Sequence, residues 1–231
     1  MKKLAIVQSN YVPWKGYFDM IASVDEFVLY DSVQYTKNDW RNRNRIKTEQ
    51  GLRWLTVPVQ TGGRFGQTIR EARIDGVAWA RAHWQILQQN YRHAPCFKQT
   101  AARLEPLYRD CAYTHLSQLN RAMLDWGCAE LGIATKISDS SDYELRGDRS
   151  ERLAELCRQA GATEYVSGPA AQDYLDVAVF EARGIRVSWF DYSGYQPYPQ
   201  LWGEFEHGVS ILDLIFNCGE DAPRYMKHVR K

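Results

Sequence analysis

The chain has 231 residues, 45% of them hydrophobic and 25% charged, which suits a globular fold and argues against disorder along its length. Basic and acidic residues nearly cancel, 29 against 28, so a globally basic nucleic-acid binder is disfavoured, although a local basic patch is not. Aromatic residues reach 13%, with 8 Trp and 14 Tyr, side chains that combine a flat apolar face with a polar handle.

The apolar run at residues 4–8 is too short for a signal sequence and predicts a buried strand. Residues 16–24 suit a short helix and residues 26–31 a second buried strand. Together they form a βαβ unit with parallel strands and a right-handed crossover. Residues 54–59 predict a third strand, with Pro58 marking an edge or an end, and residues 69–74 a fourth. Apolar residues then recur at three- and four-residue steps over 77–91, 97–109 and 116–131, the signature of helices, with Gly132 as a stop. Strands follow at 136–140, 164–168 and 185–192, and helices at 150–160, 173–183 and 210–217. The expectation is an α/β fold with a mostly parallel, Rossmann-like sheet and the first strand near its middle. It forms a single domain over residues 1–231, carrying a helical insert or subdomain at 77–132.

In such sheets ligands bind outside the carboxyl ends of the strands. Residues just after Gln8, Asp31, Pro58, Ser138 and Ser167 should therefore share one rim. The first rim loop holds Gln8, Ser9, Asn10, Tyr11, Pro13, Trp14, Gly16 and Tyr17. Its neutral amides and hydroxyl can orient a polar ligand, and Gly16 permits a close approach. The second holds Asp31, Gln34 and Tyr35, then five positive charges and one negative between Lys37 and Lys47. If that segment is extended, Arg41, Arg43 and Arg45 lie on one face beside Trp40, an anion clamp next to an aromatic platform. A solvated basic hairpin is the competing explanation, and RNA binding a minor one because the footprint is small. Ser167 and Gly168 are small enough to admit a ligand, or to mark a turn.

The five histidines lack HxH or HExxH spacing. Among them His207 is the preferred general base, with Glu204, Glu206, Ser210 and Asp213 around it in sequence. The five cysteines contain no CxxC, so free thiols are expected, no structural metal, and a cytoplasmic location. No stretch reaches the roughly 20 apolar residues of a membrane helix. Neither GxGxxG, the P-loop pattern nor GxSxG occurs, and no cofactor is named by the motifs.

Three blocks are distinctive: residues 8–18 (QSNYVPWKGYF), 30–35 (YDSVQY) and 40–44 (WRNRN). With Tyr165-Val166-Ser167-Gly168 and Ser210-Ile211-Leu212-Asp213-Leu214 they resemble the WbqC-like protein family over about residues 3–219. That resemblance implies a bacterial surface-polysaccharide (O-antigen) setting, often beside enzymes that make amino sugars. The order of strand, polar turn, helix and strand ending in Asp is also distantly similar to nucleotidyltransferases of the HIGH type. Their phosphate-holding histidines have no counterpart at residues 13–17, so only architecture carries over.

Taken together, these features suggest an enzyme that modifies a nucleotide-linked amino sugar by acyl or aminoacyl transfer to its amine. Arg41, Arg43, Arg45 and Lys37 would hold phosphates. Trp14, Tyr35 and Trp40 would stack on base or sugar. Gln8, Asn10, Tyr11, Gly16, Tyr17, Gln34, Ser167 and Gly168 would line the substrate, and Asp31 or His207 would take a proton. The alternatives are an ATP-dependent ligase or nucleotidyltransferase and a noncatalytic sugar- or partner-binding protein. The expected partner is a small molecule, with nucleic acid unlikely and homo-oligomerisation left open.

Overall fold

A computed structural model describes residues 1–229. The first strand, β1 (Lys3–Val7), leads into α1 (Lys15–Ala22) and β2 (Glu26–Leu29). A hairpin of β3 (Arg43–Thr48) and β4 (Gly51–Thr56) follows. Three helices come next, α2 (Ala78–Tyr91), α3 (Phe97–Arg109) and α4 (Leu116–Leu131). The chain then runs β5 (Lys136–Asp139), α5 (Arg149–Gln159), β6 (Glu164–Ser167), α6 (Val177–Glu181), β7 (Arg186–Trp189) and α7 (Ile211–Cys218). No helix among the described residues is long and apolar enough to cross a membrane.

Five strands form one parallel sheet in the order β5-β2-β1-β6-β7, so β1 is central as expected. Side chains alternate between its faces. Leu4, Ile6, Val28 and Tyr165 point into one apolar cluster, completed by Leu153, Ala154 and Cys157 of α5 and Phe180 of α6. Ala5, Phe27, Leu29 and Val166 point into the other, shared with α1, α2, α3, α4 and α7. With both faces covered, the strands read as continuous apolar runs, which is why their positions were legible.

Three expectations are corrected. Residues 54–59 do not join the parallel sheet: Gly51–Thr56 pairs antiparallel with Arg43–Thr48 in a separate two-stranded sheet. Pro58 therefore leaves the shared rim. Residues 69–74 form no strand and are held by isolated bridges, Val59 to Ile74 and Arg73 to His115. The helix expected at 173–183 is shorter, because Asp176 caps it through the Ala178 amide (3.1 Å).

Candidate functional site: one loop between two pockets

The loop from Gln8 to Trp14 leaves the central strand and is held from every side. The Ser9 amide donates to Asp31 Oδ1 (2.8 Å), and Asn120 Nδ2 donates to Ser9 Oγ (3.0 Å). The Tyr11 ring is fully buried, and its hydroxyl bonds Tyr108 (2.8 Å) and His83 Nδ1 (3.0 Å). Asn44 Nδ2 donates to the carbonyls of Tyr11 (3.1 Å) and Val12 (3.0 Å). Ser210 Oγ donates to the Val12 carbonyl (2.7 Å) and the Ile211 amide to that of Pro13 (2.8 Å). These bonds hold Val12 at φ 35°, a left-handed conformation that a β-branched residue adopts only under constraint.

A pocket of about 320 Å³ opens on one side of the loop, lined by Asn10, Pro13, Trp14, Trp40, Arg45 and Gly208. Arg45 stands opposite Trp54 in the hairpin register, its Cζ 5.7 Å from that ring and 5.8 Å from the Trp40 ring. The Arg45 guanidinium lies close over Gly208, where a side chain would displace it. His207, next to it, is exposed and packs edge-on to Phe205 at 4.5 Å. Partial burial and the Lys15 charge lower its pKa, against the Glu206 carboxylate, which favours a neutral imidazole. Lys15 is itself buried among the rings of Tyr198 (5.0 Å), Tyr195 (5.1 Å) and Phe205 (5.8 Å). Burial brings its pKa down to about 8.

A cleft of about 750 Å³ lies on the other side, lined by Gln8, Tyr30, Gln34, Ser167, Gly168 and Tyr192. It sits at the carboxyl ends of β1, β2 and β6. The chain turns one way from β1 to β2 and the other way to β6, so this is the switch point of the sheet. Its volume lies within the roughly 300–1,000 Å³ of small-molecule sites.

Sequence reasoning placed Gln8, Gln34, Ser167 and Gly168 at a binding site, and all four line the cleft. Asn10, Trp14, Trp40 and Arg45 line the smaller pocket. Several others fall elsewhere. Tyr11, Tyr17 and Tyr35 are buried in the core; the Tyr17 hydroxyl donates to the Gln8 carbonyl (2.9 Å), and the Tyr35 amide donates to that of Gln67 (2.9 Å). Burial holds the phenol of Tyr35 up at about 12. The approach Gly16 permits is that of the Trp14 indole, which occupies the space a Cβ would need.

The three arginines do not form one clamp. Arg41 sits in the turn before β3 and donates to Asn10 Oδ1, with Asp39 3.7 Å away. Arg43 lies over the Trp54 ring at 4.2 Å, and Lys37 is exposed in the preceding segment. Of the four cations expected to hold phosphate, Arg45 alone lines the smaller pocket and none lines the cleft.

Asp31 is 1% exposed and lies beneath the loop, lining neither pocket. Burial raises its pKa against the Ser9 amide and the Arg41 charge, and among the described residues its Oδ2 has no hydrogen-bond partner. Among the described residues Asp31 and His207 make no contact. Neither does any group of three or more His, Cys, Asp or Glu side chains come together as a metal site would require.

Sequence reasoning missed Arg149 and Arg152 of α5, which line the cleft with Tyr30, Tyr174 and Tyr192. A pair of arginines at a helix start reads as solvated charge until the docking of the helix is known.

Fold and site together define a Rossmann-like α/β protein with ligand-sized pockets on both sides of its first strand–helix loop. The chain belongs to the WbqC-like protein family, whose model matches residues 8–225. It is 60% identical over 231 residues, spanning 100% of both chains, to a Mycobacterium tuberculosis (strain ATCC 25618 / H37Rv) protein named "Uncharacterized protein Rv1507c". No solved structure matches the chain significantly.

Proposed function

We propose that the protein modifies a nucleotide-linked amino sugar for surface-polysaccharide assembly, by acyl or aminoacyl transfer to the sugar amine. One observation carries this reading: a single constrained loop supplies Gln8 to the wall of the cleft and Asn10, Pro13 and Trp14 to the wall of the smaller pocket. Two ligands bound on its two sides would be held next to each other, and the transfer would take place where their reacting groups reach past the loop's edge. The polysaccharide setting is what family resemblance implies.

In this reading the acceptor occupies the cleft and the activated acyl donor the smaller pocket. Trp14 and Trp40 pack against the donor, and Arg45 holds its anionic group. The amine nitrogen attacks the acyl carbon and a carbon–nitrogen bond forms. The bond from that carbon to the donor's thiolate or phosphate breaks, and the amine's proton is lost to a base. His207, neutral and beside the donor pocket, is the better placed base. Asp31 acts as a positioning residue through the Ser9 amide.

The test follows loss of free amine when the protein is given nucleotide amino sugars with a preformed acyl or aminoacyl thioester or acyl phosphate, and separately with an amino acid and ATP to detect a ligase. Turnover is expected with one donor class and should fall at least tenfold in Arg45→Gln. Tight binding of an amino-sugar nucleotide without turnover under any donor would instead identify a binding protein. Pyrophosphate release would identify a ligase.

A further inference from the structure

We infer that the switch-point cleft takes a nucleoside diphosphate group, with Arg149 and Arg152 as its phosphate ligands. The inference rests on reading the cleft as the acceptor's place, though not on which group is transferred. Both arginines line the cleft, three residues apart on α5, where side chains are neighbours and like charges repel. Among the described residues neither forms an ion pair; Arg149 contacts the Tyr174 ring and Arg152 donates from Nε to the Gly147 carbonyl (2.8 Å). An anion between them would remove the repulsion.

The geometry suits phosphate. The Arg149 Cζ lies 3.5 Å from the Tyr174 ring centre, so the guanidinium is flat on the ring and its N–H edges are left to donate in plane. Asp148, the acid in the same wall, pairs with neither arginine among the described residues; its carboxylate accepts from the Glu151 amide (2.9 Å). Glu151 returns the bond to the Asp148 amide (2.9 Å). The helix start is thereby capped, and recognition falls to the two side chains.

Tyr30, Tyr174 and Tyr192 add aromatic walls, while Gln8, Gln34 and Ser167 offer neutral donors and acceptors. Two guanidinium groups match two phosphates, and the tyrosines and amides match a base and ribose. The cleft's volume of about 750 Å³ is enough for one such molecule.

The experiment is calorimetric titration of the whole protein with UDP, GDP, ADP, the matching nucleosides and inorganic pyrophosphate. Saturable binding of at least one nucleoside diphosphate is expected, with its nucleoside at least tenfold weaker. Arg149→Gln and Arg152→Gln should each weaken it about tenfold or more, the loss of a charge-assisted hydrogen bond. Arg158→Gln, farther along the same helix and paired with Glu155, should leave it unchanged. All three positions are exposed, and matching melting temperatures would confirm folding.

No nucleoside diphosphate binding would overturn the inference. So would binding lost in Arg45→Gln but kept in both α5 variants, which would move the phosphates to the smaller pocket and leave the nucleotide-sugar reading standing. Binding that depends on Arg149 and Arg152 with no transfer under any donor would uphold the inference and defeat the transferase reading alone.

Discussion

The rings of Trp14 and Tyr192 meet at 5.4 Å, and each lines a different pocket. Tyr195 braces the same indole edge-on at 5.9 Å. The indole is thus part of the partition between the two sites. Trp14→Ala is expected to weaken ligands on both sides. Gly16→Ala is the sharper variant, since its Cβ would run into the six-membered ring of the Trp14 indole and displace it without removing any ligand-facing group. Titration of each ligand into Gly16→Ala should show both affinities falling; unaltered affinities would remove Trp14 from the partition.

Arg41 and Arg45 should separate by kinetic signature. Arg45 lines the smaller pocket, the proposed place of the donor, so Arg45→Gln should raise the donor KM about tenfold, the worth of one charge-assisted hydrogen bond. Arg41 acts through Asn10 and lowers the pKa of Asp31 beneath the loop. Arg41→Gln should therefore lower kcat more than it raises KM. A pure KM effect there would place Arg41 on the ligand instead.

Acid sensitivity has a component that belongs to His83. The imidazole is buried, which lowers its pKa to about 4 from its ordinary 6.5. The unfolded chain binds the proton first, so stability is whole above pH 6.5 and declines as pH falls towards about 4. The shift corresponds to about 3 kcal/mol. Denaturant unfolding of wild type and His83→Gln across that window should show the wild type losing this much more. Parallel curves would contradict it.

Glu26 governs a lower window. It is fully buried at the start of β2, where burial alone would raise its pKa. Ion pairs to Lys2 (2.7 Å) and Lys136 (2.9 Å), with bonds from Ser138 (2.6 Å) and Tyr143 (2.7 Å), hold it down at about 2. This contribution is whole above pH 4.5 and lost as pH falls towards 2. Because the lysines are partly exposed, Glu26→Gln should cost about 2 kcal/mol at pH 7, less than a fully buried pair. Urea unfolding measures it, and an unchanged midpoint would refute the assignment.

The parallel sheet was legible because its strands are buried on both faces. The hairpin was legible only as the competing explanation for the basic segment, because residues 42–45 carry Asn and Arg rather than the β-branched and aromatic residues that favour strands. Its buried face works because Asn42 and Asn44 give their side-chain amides to the carbonyls of Val57, Tyr11 and Val12, which composition does not show. That the first rim loop lines a pocket was legible from its place after β1. Which of its side chains face a pocket was not, since Tyr11 and Tyr17 look identical in sequence to a pocket-lining aromatic and prove to be core. Arg149 and Arg152 enter the cleft only through the way α5 lies on the sheet.

The loop from Gln8 to Trp14 is made early in translation, yet its anchors come late. Asp31 is 22 residues from Ser9, Tyr108 is 97 from Tyr11, and Ser210 is 198 from Val12. β1 itself gains its second neighbour only when β6 exists. Such distant closures cost chain entropy before they are rewarded, which slows folding. A nascent chain lacking α7 would therefore present an unfinished loop, and ligand binding should be among the last properties to appear during refolding, after most helical signal has returned.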